Sequence, residues 1–191
     1  MERSKLIIVE GAQGVGKTTC TDFIRHSLKH INLYRLSGIA DNSPTGLMKN
    51  EKIYYNLMEY LKGLENCEIN LLFDRTFFSE ENYCRAGFKE YSFTDVYNKL
   101  VTILDNLDFD IYYITLYLKD TNLYEKRLQR KDKVAPDYAK FKIDSSIKQQ
   151  NIYLEMAEEL KSKSKNIKVY NVPSDDSIEI VQDKIREILS F

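Results

Sequence analysis

The chain has 191 residues, enough for one domain with a sizeable core and too few for a second large one. Its 28 basic and 29 acidic residues nearly cancel, so bulk charge gives no reason to expect a nucleic acid polymer or an anionic membrane as partner, and any anion site must be local. No apolar run approaches the roughly 20 residues of a membrane span, the opening MERSKLIIVEG lacks the h-region and cleavage site of a signal peptide, and Cys20, Cys67 and Cys84 form no C-x-x-C pair, which together lead us to expect a cytoplasmic protein with reduced thiols.

Residues 5–9, KLIIV, form a short β-branched run that ends at a glycine-rich segment and predicts a buried strand. From Lys17 onward Phe23, Ile24, Leu28 and Ile31 recur at helical spacing. His26 and His30 stand at i, i+4 on this stretch, but no glutamate or third ligand accompanies them, so a solvated helix face is expected and not a zinc site. A strand is predicted at 31–36, a polar loop around Ser43-Pro44-Thr45-Gly46, and a helix near 50–63. The run INLLF at 69–73 predicts the next strand, ending at Asp74-Arg75, followed by helices near 77–85 and 93–106. IYYITLYL at 111–118 is the longest strand signal. A basic helix at 121–131, a break at 132–140 containing Pro136, a long amphipathic helix at 143–163, a strand at 167–172 and a helix at 177–189 complete the chain. Five strands alternating with helices imply an α/β fold: a single domain with a five-stranded parallel sheet covered by helices on both faces.

Gly11-Ala12-Gln13-Gly14-Val15-Gly16-Lys17-Thr18 fits G-x-x-x-x-G-K-[ST] between a predicted strand and a predicted helix, the context a phosphate loop requires. Glycines let backbone N–H groups close around phosphates, and the helix N-terminus adds partial positive charge. Lys17 is expected on the β- and γ-phosphates of ATP and the Thr18 hydroxyl on Mg²⁺, with Thr19 in the same turn. Asp74 ends a strand of the sheet, where a carboxylate complements Thr18 as a metal ligand.

From Asp74-Arg75 onward the chain resembles the thymidylate kinase family, with deoxynucleoside kinases close behind. That family carries Asp-Arg after its third strand, then a serine and a tyrosine at the spacing seen here in Ser79 and Tyr83. Glu125-Lys126-Arg127-Leu128-Gln129-Arg130 is similar to its lid helix, and Tyr153-Leu154-Glu155-Met156-Ala157 to its Y-L-x-L-A run. Three departures stand beside these matches: Gln13 where many members have an acidic residue, Asn82 and Cys84 flanking the tyrosine, and Leu36-Ser37-Gly38 in place of Arg-Glu-Pro.

The resemblance implies a P-loop kinase with a short lid over approximately 121–140. Lys17, Asp74, Arg75, Arg127 and Arg130 would be catalytic, and Glu10, Arg75, Ser79 and Tyr83 would hold the acceptor. The implied reaction is ATP- and Mg²⁺-dependent phosphorylation of a deoxynucleoside monophosphate, dTMP before others. A deoxynucleoside kinase, in which Glu10 would serve as general base, is the alternative, and a P-loop ATPase without a small acceptor is the second. The sequence leaves a homodimer open. Arg127 and Lys131 share a helix face beside Arg130, so one helix can aim several cations at a ligand. Tyr54, Tyr55, Phe77, Phe78 and Tyr83 are candidates to stack on a base, although most are expected in the core.

Overall fold

The computed structural model describes residues 3–129 and 143–191. The predicted alternation is realised as β1 (Lys5–Glu10), α1 (Lys17–Ser27), β2 (Ile31–Arg35), α2 (Pro44–Gly63), β3 (Asn70–Asp74), α3 (Phe77–Arg85), α4 (Thr94–Asp105), β4 (Asp110–Tyr117), α5 (Leu123–Leu128), α6 (Ile143–Lys163), β5 (Ile167–Pro173) and α7 (Ile178–Leu189). The strands form one sheet in the order β2-β3-β1-β4-β5, with every pair parallel.

Alternating side chains of the strands enter two separate cores, as the two-residue period of a strand dictates. Leu6, Ile8, Leu71, Phe73, Ile111 and Tyr113 face α2, α3, α4 and α6. Ile7, Val9, Leu72, Tyr112, Ile114 and Leu116 face α1, α5 and α7. β1 is buried along its whole length because it lies mid-sheet between these layers, which explains its unbroken apolar run. Phe77 and Phe78 stack at 4.5 Å, and both are fully buried; burial of each contributes roughly 1.5–3 kcal/mol.

α2 begins at Pro44, six residues before the sequence signal. Proline is preorganised for a first helical turn, where its missing N–H costs nothing. The turn is organised by Asp41, whose carboxylate accepts from Ser43 N at 3.0 Å, Ser43 Oγ at 2.6 Å, Thr45 Oγ1 at 3.0 Å and Lys49 Nζ at 2.5 Å. Gly46 is required there, since a Cβ would lie 2.3 Å from the Asp41 carbonyl oxygen.

The chain leaves β1 toward β2 and leaves β4 toward β5, in opposite directions along the sheet. Such divergence opens a crevice at the carboxyl ends of the strands. α5 covers only the start of the predicted basic helix; residues 130–142, with Arg130, Lys131, Lys133, Pro136 and most of the predicted lid, lie outside the described residues.

Candidate active site

The loop between β1 and α1 is shaped by three glycines with positive φ: Gly11 at 144°, Gly14 at 86° and Gly16 at 104°. L-residues avoid this region. Gly11 is further constrained because a Cβ there would meet the Leu116 carbonyl oxygen of β4 at 2.6 Å. Gly16 caps α1 and exposes the first turn, with Thr18 and Thr19 at the surface. Lys17 is buried at 7 % exposure, and its Nζ donates to Gly11 O at 2.8 Å and Ala12 O at 2.9 Å. Its ammonium thus sits at the centre of the loop.

The loop opens into a cavity of about 410 Å³ whose lining includes Gln13, Lys17, Thr18, Asp74, Arg75 and Arg127. Its far wall is made by Leu128, Ser174, Ile178 and Val181, with Asp176 and Gln182 at the polar edge. Ile178 is 56 % exposed, an apolar surface facing a polar crevice. A shallower and larger groove lies at the opposite, amino ends of β2 and β3, lined by Arg25, His26 and His30, and contains none of these groups.

Asp74 closes β3 and is 7 % exposed. Its Oδ2 lies 3.8 Å from Arg35 Nε, a cation at the end of β2 that also bonds Asp22. The sequence reading passed over Arg35, whose only signal was a lone arginine at a strand end.

Arg75 has φ +73°, the left-handed conformation that costs a non-glycine residue about 1–2 kcal/mol. Consecutive groups of β1 hold it there: Arg75 N donates to Val9 O at 3.2 Å, and Thr76 N to Glu10 Oε1 at 2.7 Å. Its guanidinium donates to the Tyr83 hydroxyl. Burial works against the charge, yet Tyr83, Tyr153, Glu10 and Asp74 outweigh it and raise the guanidinium's pKa, so Arg75 stays cationic.

Glu10 and Ser79, expected to touch an acceptor, bond each other beneath the crevice. Glu10 is fully buried; Oε1 accepts from Thr76 N and from Thr76 Oγ1 at 3.1 Å, and Oε2 accepts from Ser79 Oγ at 2.7 Å. Ser79 Oγ also lies 2.8 Å from the Tyr153 hydroxyl, which joins α6 to the network. Burial pushes the Glu10 carboxyl up to about 7, against the opposing Ser79 hydrogen bond, the Arg75 charge, the Thr76 N–H and Lys17. With both oxygens engaged and no exposed surface, Glu10 braces the Arg75 turn.

Arg127 was expected to reach the transferring phosphates. Its Nη1 donates to Val15 O at 3.2 Å and Nη2 to Ser174 O at 2.6 Å, while Ser174 Oγ also donates to Val15 O at 2.6 Å. Arg127 and Ser174 therefore tie the phosphate loop to the β5–α7 turn. Ser174 lacked any sequence signal, because its partner Val15 is distant in the chain. Gln150 secures the base of α5: its Oε1 accepts from Leu118 N at 2.8 Å and the Tyr124 hydroxyl at 2.7 Å.

Thr18 and Asp74 line one cavity, and no cluster of three or more His, Cys, Asp or Glu side chains able to hold a metal occurs among the described residues. One carboxylate and one hydroxyl fit Mg²⁺, which keeps several waters and takes its remaining ligands from nucleotide phosphates. Described residues contain no helix long and apolar enough to cross a membrane.

The parallel sheet, the glycine-built loop and the acidic strand end define a P-loop fold. Among solved structures the chain is similar to thymidylate kinase from Candida albicans, with TM-score 0.66 and 18 % identity over 98 % of this chain and 92 % of that one. It is also similar to deoxyadenosine kinase from M. mycoides with dCMP and dCDP bound, with TM-score 0.63 and 17 % identity over 97 % of this chain and 98 % of that one. The dATP-bound form of that kinase matches at TM-score 0.59 and 17 % identity, covering 97 % of this chain and 99 % of that one. No family model matches the sequence, and no curated protein matches it significantly.

Proposed function

We propose that the chain is an ATP- and Mg²⁺-dependent phosphotransferase whose acceptor is a deoxynucleoside monophosphate, with dTMP the first candidate. The observation that carries this reading is the division of labour between Glu10 and Arg75. A nucleoside 5′-hydroxyl needs a positioned base, whereas a monophosphate oxygen is already anionic and needs a cation to hold it in line. Glu10, the carboxylate implied as base, is buried with both oxygens occupied. Arg75 is a fixed cation on the cavity wall and suits a phosphate bidentately.

Loop N–H groups and the α1 N-terminus would cradle the donor phosphates, with Lys17 offsetting the charge that grows on the migrating phosphoryl group. Thr18 and Asp74 would hold Mg²⁺, which when bound neutralises the β- and γ-phosphate oxygens. Leu128, Ile178 and Val181 give the donor base an apolar wall. Arg130 keeps its role as a lid cation in this proposal. We place the reaction in the cytoplasm, where free thiols persist; Cys20, for one, is buried beside Asp74 and its thiol is pushed up to about 12, so it stays protonated.

A second reading, phosphorylation of a deoxynucleoside, is favoured by the likeness to the M. mycoides deoxyadenosine kinase, which spans nearly all of both chains. A coupled ADP-release assay over dTMP, dUMP, dGMP, dCMP, dAMP and the matching nucleosides separates the two. Turnover with monophosphates alone supports the first; turnover with nucleosides alone replaces it with the second. ADP release that no acceptor accelerates would leave only a P-loop ATPase.

A further inference from the structure

A second buried polar framework joins α3, the α3–α4 turn and the segment between β2 and α2. The side chains of Glu80 and Lys89 are 1 % and 5 % exposed, with Oε1 and Nζ 3.3 Å apart. The Tyr91 hydroxyl donates to the same Oε1, and Asn50 Nδ2 donates to Tyr91 at 3.0 Å. Well-packed apolar residues often match or exceed the stability of a buried ion pair, so stability alone does not account for this one.

The other donors of Lys89 show what the pair does. An ammonium has three N–H groups. Besides Glu80, Nζ donates to Ile39 O at 3.0 Å and Asp41 O at 3.4 Å, and the next residue's Glu90 N donates to Asn42 O at 2.9 Å. The α3–α4 turn is thereby stitched to the segment between β2 and α2. That segment starts just past Arg35, the neighbour of Asp74, and replaces the Arg-Glu-Pro of the resembling family. Gly38 lies against Glu80, since a Cβ built on it would be 3.6 Å from Oε2. Glu80 in turn follows Ser79 and sits one helical turn before Tyr83, the partner of Arg75.

We infer that Lys89 is a positioning residue: it fixes residues 38–42 as the acceptor-side wall of the crevice, so that the wall facing Arg75 is formed before the acceptor arrives. Lys89 needs no contact with the acceptor for this. Its effect on catalysis rests on the reading that Arg75 holds the acceptor phosphate; its effect on the segment does not.

Two variants of the full chain test the inference: Lys89→Met, and Lys89→Met combined with Glu80→Gln, which removes the buried carboxylate left unpaired by the first. The single variant is expected to lower the unfolding temperature and the double to recover most of it. Both should raise acceptor KM about tenfold while ATP KM and kcat stay within about twofold. Both should also speed amide hydrogen exchange at residues 38–42 about tenfold or more, with exchange in β1 and α1 unchanged. Acceptor KM that returns to the wild-type value together with stability in the double variant would overturn the catalytic part. Wild-type exchange at 38–42 in both variants would overturn the inference whatever the enzyme phosphorylates. A wild-type chain that phosphorylates no acceptor, together with the exchange change in both variants, defeats the proposed function and keeps the anchoring role of Lys89.

Discussion

The two sides of the crevice are encoded differently. The donor side is built mainly from backbone: three glycines with positive φ, a helix N-terminus, and a lysine whose partners Gly11 and Ala12 lie six and five residues away. The side proposed for the acceptor is built from side chains that meet across the sequence, with Glu10 reaching Thr76 and Ser79 over 66 and 69 residues and Lys89 reaching Ile39 over 50. A cradle of N–H groups binds phosphate whatever nucleotide carries it. A wall set by buried side-chain bonds can change its shape by substitution, so the proposed function puts selectivity on the acceptor side.

Substitutions on the two sides should therefore fail in different ways. The largest effect is expected from Lys17→Ala, with turnover down by roughly 10³-fold while circular dichroism still reports the folded sheet. Near wild-type kcat would remove the phosphate-loop assignment.

Glu10 affects stability and not turnover alone. Its folded carboxyl titrates near 7 against an ordinary 4.5, so the folded state binds more protons between those values and stability falls as pH rises from about 4.5 to about 7. The fall amounts to at most about 3 kcal/mol. Glu10→Gln keeps an acceptor for Thr76 N and has nothing to titrate, so its urea midpoint should vary less over this window. Parallel pH profiles for the two proteins would show that the buried carboxyl does not titrate as described.

On the proposed reading that its guanidinium holds the acceptor phosphate, Arg75→Ala should cut kcat/KM for the acceptor by about 100-fold and leave ATP KM nearly unchanged. Unchanged acceptor kinetics would end that role even where the kinase activity is real. The smallest effect is expected from Arg127→Ala, which removes one donor from each of the Val15 and Ser174 carbonyls and loosens the donor loop. ATP KM should rise about tenfold with kcat within about threefold. A large drop in kcat at constant ATP KM would instead return Arg127 to the transferring phosphates.

Much of the fold was legible before any coordinates. The strand at 69–73 and the helices at 77–85 and 143–163 fall within a residue of β3, α3 and α6, because apolar period and strand composition are local signals. The start of α2 was missed, since Ser43-Pro44-Thr45-Gly46 reads as a loop unless Asp41 is known to gather Ser43, Thr45 and Lys49 around it. The donor loop was legible for the same reason as β1: its glycines and its lysine are neighbours in the chain.

The contacts of Glu10, Ser79 and Arg127 were not legible. Sequence and resemblance placed them near the chemistry, but a side chain's role depends on which atoms it meets. Glu10 at a strand end carries no local sign of its burial or of its hydrogen bonds to Thr76 and Ser79. Lys89, on a charged turn of unremarkable composition, gave no signal at all. Periodicity and backbone chemistry thus determined the sheet, the helices and the phosphate cradle from sequence alone, because residues within a turn or two of each other set them. The bracing of the Arg75 turn by β1 and the tie from Lys89 to Ile39 were decided only by the tertiary structure, because hydrogen bonds between residues 50 or more positions apart exist only once the fold has brought those residues together.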